Sequence, residues 1–470
     1  MHQTAAPPAR GMTTRQALTI AVLACAQLML VLDVTVVNVA LPDIGTSLGL
    51  GRTALTWVMT IYTTLFGGLV LAGGKAADLL GARRTLVAGL AVFVLASLAS
   101  ALARDSTVLL LGRAVQGVGA ALLSPSALAV LLSTVSGAAR GRALAVWGSL
   151  SAIGSAVGVS LGGVVTSALG WEWIFAINVP IGLAILIAIP ALTSKVDANP
   201  ARPDLPGAAL VTAGTALVVY GLVNAGNAGW AAGPTLGALA AGVLIWAVFA
   251  VVERRTAAPM LRVSLLREPS VVGGAFLMIV ATGLMIGNFF LGSFALQRAY
   301  GDGPLRVGLE FLPVAVGVGL GAQLAGRLLQ RLPARVVATA GLALAAGGEA
   351  AATIVDGGRV ALVLGLTVAA FGIGAVFVTA FTSALSSASP DDGGLRSAIV
   401  STAHEIGGAF GVAVLSSLAA GALAAVSPEP ADFSATFGIA AIASAVAALV
   451  ALVLVPATRR PEPEPGSTPS

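Results

Sequence analysis

Apolar residues occur in this chain as long unbroken blocks, not as the two-residue alternation of a half-buried strand. The blocks run to about 18 to 25 residues, which is what a helix needs to cross a hydrocarbon layer of about 30 Å. Fourteen follow one another, the first over 17–41, the fifth over 141–166, the eleventh over 336–354 and the last over 433–456. Lipid offers no partner for a bare backbone N–H or C=O, and the alternation of a barrel strand is missing, so each block is predicted to be a helix. Two longer polar breaks, 193–205 and 253–270, divide the series into six helices (17–192), a pair (206–252) and six more (271–456). A polar tail at 457–470 has the composition of a disordered segment. ADLLGARRTLVAGLA from Ala77 is echoed by GRLLQRLPARVVATAGLA from Gly326 at the same place in each six-helix block, as an internal duplication would leave it.

Composition sharpens this reading: 57% of residues are hydrophobic and 10% are charged, which excludes a soluble globule. Threading the helices alternately puts most of the 25 Lys and Arg residues on one side, with only Arg52, Arg104, Arg298, Arg306 and Arg359 opposite. The richer side is expected to be cytoplasmic, with both termini there. The formal charge of +5 is then loop charge beside an anionic membrane and calls for no nucleic acid. Cys25 is the only cysteine, so no internal disulfide is possible. Two His residues without metal-ligand spacing, and a Gly74-Lys75 pair followed by Ala76, argue against a metalloenzyme or a phosphate-cradling loop. No metal, no cofactor and no enzymatic activity are expected.

Ionisable residues inside apolar blocks are the candidate chemistry. Asp33 lies about eight residues, roughly 12 Å, below the outer end of the first helix. Arg113 lies about six residues, roughly 9 Å, below the outer end of the fourth, with Gln116 on the same face. The depths agree, so Arg113 is expected to face Asp33 and tune its affinity for a proton; the alternative is that Arg113 snorkels to the interface. His404 and Glu405, adjacent in the thirteenth helix, read either as a second proton or cation site or as solvated groups in a vestibule. Glu310 and Glu349 lie near helix ends and are expected at the interface. Asn38, Gln116, Asn178, Asn288 and Gln297 are candidates for the wall of a substrate cavity, or for hydrogen bonds between helices, as is Asn224.

LDVTVVNVALP from Leu32, GGKAADLLGARRT from Gly73, LGRAVQGVGAALLSPS from Leu111, GSAVGVSLGG from Gly154 and WEWIFAINVPIG from Trp171 resemble signatures of the major facilitator superfamily, in particular its fourteen-helix drug:proton antiporter branch. The resemblance implies an all-α membrane fold of two six-helix bundles plus two helices. It implies a proton-coupled exporter of amphipathic drugs or antibiotics in the cell membrane, probing one central site from alternate sides; the alternative is an importer or metabolite exporter on the same fold. Asp78, Gly81, Arg83 and Arg84 would form a latch that breaks and reforms as the halves rock. Gly154, Gly158, Gly162 and Gly163 would pack a neighbouring helix closely, although Val159 stands where the family has proline. Glu172 stands where arginine is common, with Trp171 and Trp173 expected as interfacial anchors. Partners implied are a small amphipathic molecule, protons and the bilayer, with the chain acting as a monomer.

Overall fold

The computed structural model describes residues 13–135, 154, 157–193, 204–256, 259, 261–354, 358–386 and 393–457. The basic residues Arg10, Arg140, Arg142, Lys195, Arg202, Arg459 and Arg460, and all but the first residue of the expected tail, lie outside them.

Among the described residues the long elements are all helices: α1 (Thr14–Leu48), α2 (Arg52–Leu80), α3 (Ala82–Ala101), α4 (Ser106–Thr134), α5 (Val157–Leu169), α6 (Glu172–Leu192), α7 (Leu205–Ala228), α8 (Gly233–Arg255), α9 (Pro269–Ala299), α10 (Pro304–Leu328), α11 (Ala334–Ala351), α12 (Gly358–Leu385), α13 (Gly393–Leu418) and α14 (Pro430–Leu454). Twelve of them are long and apolar enough to cross a membrane. The exceptions are α5, whose expected first turns lie mostly outside the described residues, and α11, where Arg335 and Glu349 dilute a short apolar run.

Side chains placed at the starts explain the boundaries. Thr13 and Gln16 form a reciprocal cap on α1. Asp105 accepts from the backbone of Thr107 and Val108 at 2.8 and 3.0 Å to start α4, and Asp204 accepts from Gly207 at 2.9 Å to start α7. Gly81, at φ 89°, makes the whole turn between α2 and α3, a conformation that a side chain would strain.

Two groups of helices result. In the first, α4 packs on α1, α2 and α3, and α6 on α1 and α3; in the second, α12 packs on α9, α10 and α11, and α14 on α9 and α11. Close approach is bought by small residues. Pro125 has no N–H to offer Ala121, and α2 brings Gly73 against that freed carbonyl, where a Cβ would collide. Gly154, Gly158 and Gly162 seat α5 on Val31, Thr35 and Val36 of α1. The pair α7 and α8, tied by Asn224 Nδ2 donating to Thr235 Oγ1 at 3.1 Å, does not stand apart: α7 packs against both α2 and α13 and so touches both groups.

Among the described residues the groups close on each other at one end. There Gln297 Nε2 of α9 donates to the Val39 carbonyl of α1 at 2.8 Å, Gly163 of α5 lies against Pro304 and Gly308 of α10, and Arg52 of α2 reaches the Ser416 carbonyl of α13. At the end where α2 meets α3 they part around a cavity.

Candidate functional site

The cavity holds about 940 Å³ and is walled by α1, α2 and α4 from one group and α9, α12 and α13 from the other. Its walls are mostly apolar, with Leu30, Val34, Phe66, Met285, Ile286, Phe377 and Phe381 among them. Polar groups are the minority: among them Gln27, Thr35, Thr282, His404 and Glu405, three serines (Ser124, Ser397 and Ser401), and the charged Lys75, Asp78 and Arg262. A large apolar chamber with sparse polar groups suits a drug-sized amphipathic molecule.

His404 Nδ1 lies 3.0 Å from Thr282 Oγ1, and its ring lies against Phe377. Glu405 lines the chamber while its Cβ rests on Gly67 of α2, where a larger residue would push α2 and α13 apart. Of the two readings for this pair, the cavity wall is where both side chains are found.

Asp33 is not on that wall. It sits behind it, fully buried, paired with Arg113 Nη1. Its other oxygen accepts from Gln116 Nε2 and Asn178 Nδ2, each at 3.0 Å. Gln116 also donates to Ser97 Oγ at 2.8 Å, so the node joins α1, α3, α4 and α6. Arg113 donates through Nε to the Val58 carbonyl and through Nη1 to Gln116 Oε1, both at 3.1 Å, and its guanidinium lies 4.4 Å from the centre of the Tyr62 ring. Snorkelling is therefore excluded: Arg113 is 0% exposed.

Besides Asp33, Arg113 thus has a carbonyl, an amide and an aromatic face around it, while its Nη2 is buried without a hydrogen-bond partner among the described residues. Val58, Tyr62 and Ser97 carry this arrangement and were not legible as site residues, because a backbone carbonyl, an aromatic and a serine in an apolar helix are ordinary packing groups.

None of the five candidates for the cavity wall lines the large chamber. Gln116 and Asn178 are turned to Asp33, Asn288 donates to Glu349 at 2.8 Å, and Gln297 spans Ser293 and Val39. Asn38 donates to carbonyls of its own helix, Val34 and Thr35. Hydropathy locates a polar residue in depth but says nothing of the direction it faces. Glu349 is a second correction: instead of sitting at the interface it is 0% exposed, between α9, α11 and α14. Glu310 does lie at a helix end, 3.2 Å from Arg306.

The latch residues are not joined in this state. Asp78 is exposed at the cavity mouth, Arg83 donates to the Pro190 carbonyl of α6 at 3.1 Å, and neither Arg83 nor Arg84 pairs with Asp78 among the described residues. Trp173 is 49% exposed as an anchor would be, whereas Trp171 is 5% exposed and packs edge-on against Phe175. Cys25 faces outward.

Comparison with known proteins follows the same lines. The Major Facilitator Superfamily model matches residues 23–309 and 275–470. The puromycin resistance protein of Streptomyces alboniger is 38% identical over 86% of this chain and 82% of its own length. The cephamycin export protein of Amycolatopsis lactamdurans is 36% identical over 95% and 93%, and the lincomycin resistance protein of Streptomyces lincolnensis 33% over 95% and 92%. Among solved structures, an auto-inhibited POT family peptide transporter superposes with a TM-score of 0.67 at 18% identity, covering 96% of this chain and 99% of that one, which speaks for a shared fold.

Proposed function

This chain belongs to the major facilitator superfamily, and on that premise we propose that it exports amphipathic drugs or antibiotics across the cell membrane in exchange for protons. The observation that carries the reading is the apolar chamber between two helix groups, open at one end and closed at the other, with the Asp33–Arg113 pair one layer behind its wall. Relatives whose names specify puromycin, cephamycin and lincomycin support an antibiotic-sized cargo.

In this reading fourteen helices cross the membrane, both termini are cytoplasmic, and the six-helix bundles 17–192 and 271–456 flank the pair 206–252. The chamber then opens to the cytoplasm. Cargo enters it and settles against the aromatic and aliphatic walls, with Glu405 and His404 as its polar contacts. Once cargo has left on the outer side, a proton reaching Asp33 from outside frees Arg113 from its partner, loosens α1 from α4 and favours return to the cytoplasm-open form, where the proton leaves and the pair reforms. Substrate and proton are thereby coupled through the rearrangement of α1, α4 and α6, as alternating access requires. Asp78, Arg83 and Arg84 would close on one another when the cytoplasmic end shuts. The chain acts as a monomer, since both walls of the chamber come from it.

Inside-out vesicles test the direction. With an acidified lumen, puromycin is expected to accumulate in vesicles carrying the wild-type protein and to stay at background with Asp33→Asn. Accumulation driven by the reverse gradient would favour the importer reading instead.

A further inference from the structure

The two helix groups neutralise a buried carboxylate in different ways. In the first, α1, α3 and α6 meet at Asp33, which is joined to Asn178 directly and to Ser97 through Gln116, and α4 supplies Arg113 as counter-charge. The corresponding helices of the second, α9, α11 and α14, meet at Glu349. Its Oε1 accepts from Asn288 Nδ2 at 2.8 Å and its Oε2 lies 2.6 Å from Ser444 Oγ. Counted from the helix starts, the place of Arg113 in α4 falls at Gly365 in α12, so no arginine is offered.

The charged groups on the surrounding helices are all engaged elsewhere. Arg298 of α9 donates to the Leu423 and Ala425 carbonyls, and Arg335 of α11 to the Val455 carbonyl. Arg359 of α12 pairs with Asp302, and Asp432 of α14 caps its own helix through Glu429 N. Glu349 is thus a fully buried acid with two neutral partners and no cation among the described residues. An isolated carboxylate in hydrocarbon takes up a proton sooner than it stays charged. A metal ion is the poorer occupant, because about six oxygens are wanted by such cations and the node offers only the carboxylate, Asn288 Oδ1 and Ser444 Oγ.

Asn288 Oδ1 is itself buried without a partner. The residue also borders a small void of about 10 Å³ whose other walls, among them Met285, Phe289, Phe311 and Leu366, are all apolar. We propose that Glu349 is a second proton-binding site, loaded in the state described here and distinct from both Asp33 and the chamber. Its use in transport rests on the proton-driven export proposed above; the bound proton itself does not.

Two measurements on the full-length protein test this. In lipid at neutral pH, the infrared difference between wild type and Glu349→Gln, an isosteric change that keeps partners for Asn288 and Ser444, is expected to show a carboxylic acid carbonyl band. That band should shift in Ser444→Ala. A carboxylate signature in its place would overturn the proposal. In inside-out vesicles, the protons released per puromycin moved are expected to fall by one in Glu349→Gln; an unchanged ratio would reduce Glu349 to a static hydrogen-bonding group and overturn the carrying role. Vesicles that move no puromycin at all would count against the exporter reading, while the infrared result would still decide whether Glu349 holds a proton.

Discussion

Asp33 and Arg113 come from positions 80 residues apart and meet because two helices running in opposite directions bring them to one depth. That was legible from residue counting alone, since rise per residue is fixed in a helix. What counting does not supply is azimuth: Asn288 turns to Glu349 and Gln297 to Val39, both away from the chamber. Glu349 shows the same limit from another side, because its place near the end of α11 suggested water while its neighbours α9 and α14 extend past it and cover it. The charge balance at Asp33 has a measurable consequence. Arg113→Met strands a buried carboxylate and is expected to cost about 3–5 kcal/mol, seen as a lower melting temperature in detergent. Adding Asp33→Leu should recover much of that stability while transport stays absent. A double variant no more stable than the single one would show that the two side chains do not balance each other.

Among the elements, block length and lipid chemistry made the helices readable, yet three internal irregularities escaped. Helix α6 is interrupted at Ile177, α9 winds into a π turn at Ala295–Ala299, and α10 is interrupted at Phe311. Two of them follow from prolines, since Pro180 and Pro313 have no N–H to offer the carbonyls of Ala176 and Leu309, whereas the π turn of α9 has no such mark in the sequence. The glycines of α5 were legible as a packing face, but their partners were not: Gly154, Gly158 and Gly162 serve α1, while Gly163 meets Pro304 and Gly308 in the opposite group. That single contact helps hold one end shut. Gly163→Val should wedge it open and shift the molecule away from the chamber-open state. In a Cys25→Ser background, a cysteine at Ser397 on the chamber wall should then react more slowly with a water-soluble maleimide. Unchanged reactivity would remove Gly163 from the closure.

Taken whole, the polar breaks announced an all-helical membrane fold, and twelve helices among the described residues are long and apolar enough to span, but the wedge position of α7 was not foreseeable from an apolar run. Its contact with α2 and α13 needs the tertiary arrangement, in which Gly68 of α2 receives Thr212. The overall orientation is open to direct measurement. Cysteines at Ser427 and Leu80, exposed at opposite ends, are expected to be labelled by an impermeant maleimide from outside and from inside respectively. Labelling in the reverse sense would invert the proposed topology. The layer of side chains between Asp33 and the chamber carries a last implication. In the state described here a passenger in the chamber would not touch Asp33, so on the proposed reading passenger and proton would influence each other through the helices between them, by equal factors in binding. If Asp33 carries the exchanged proton as proposed, the apolar part of the lining can be replaced to suit a different molecule without touching that pair.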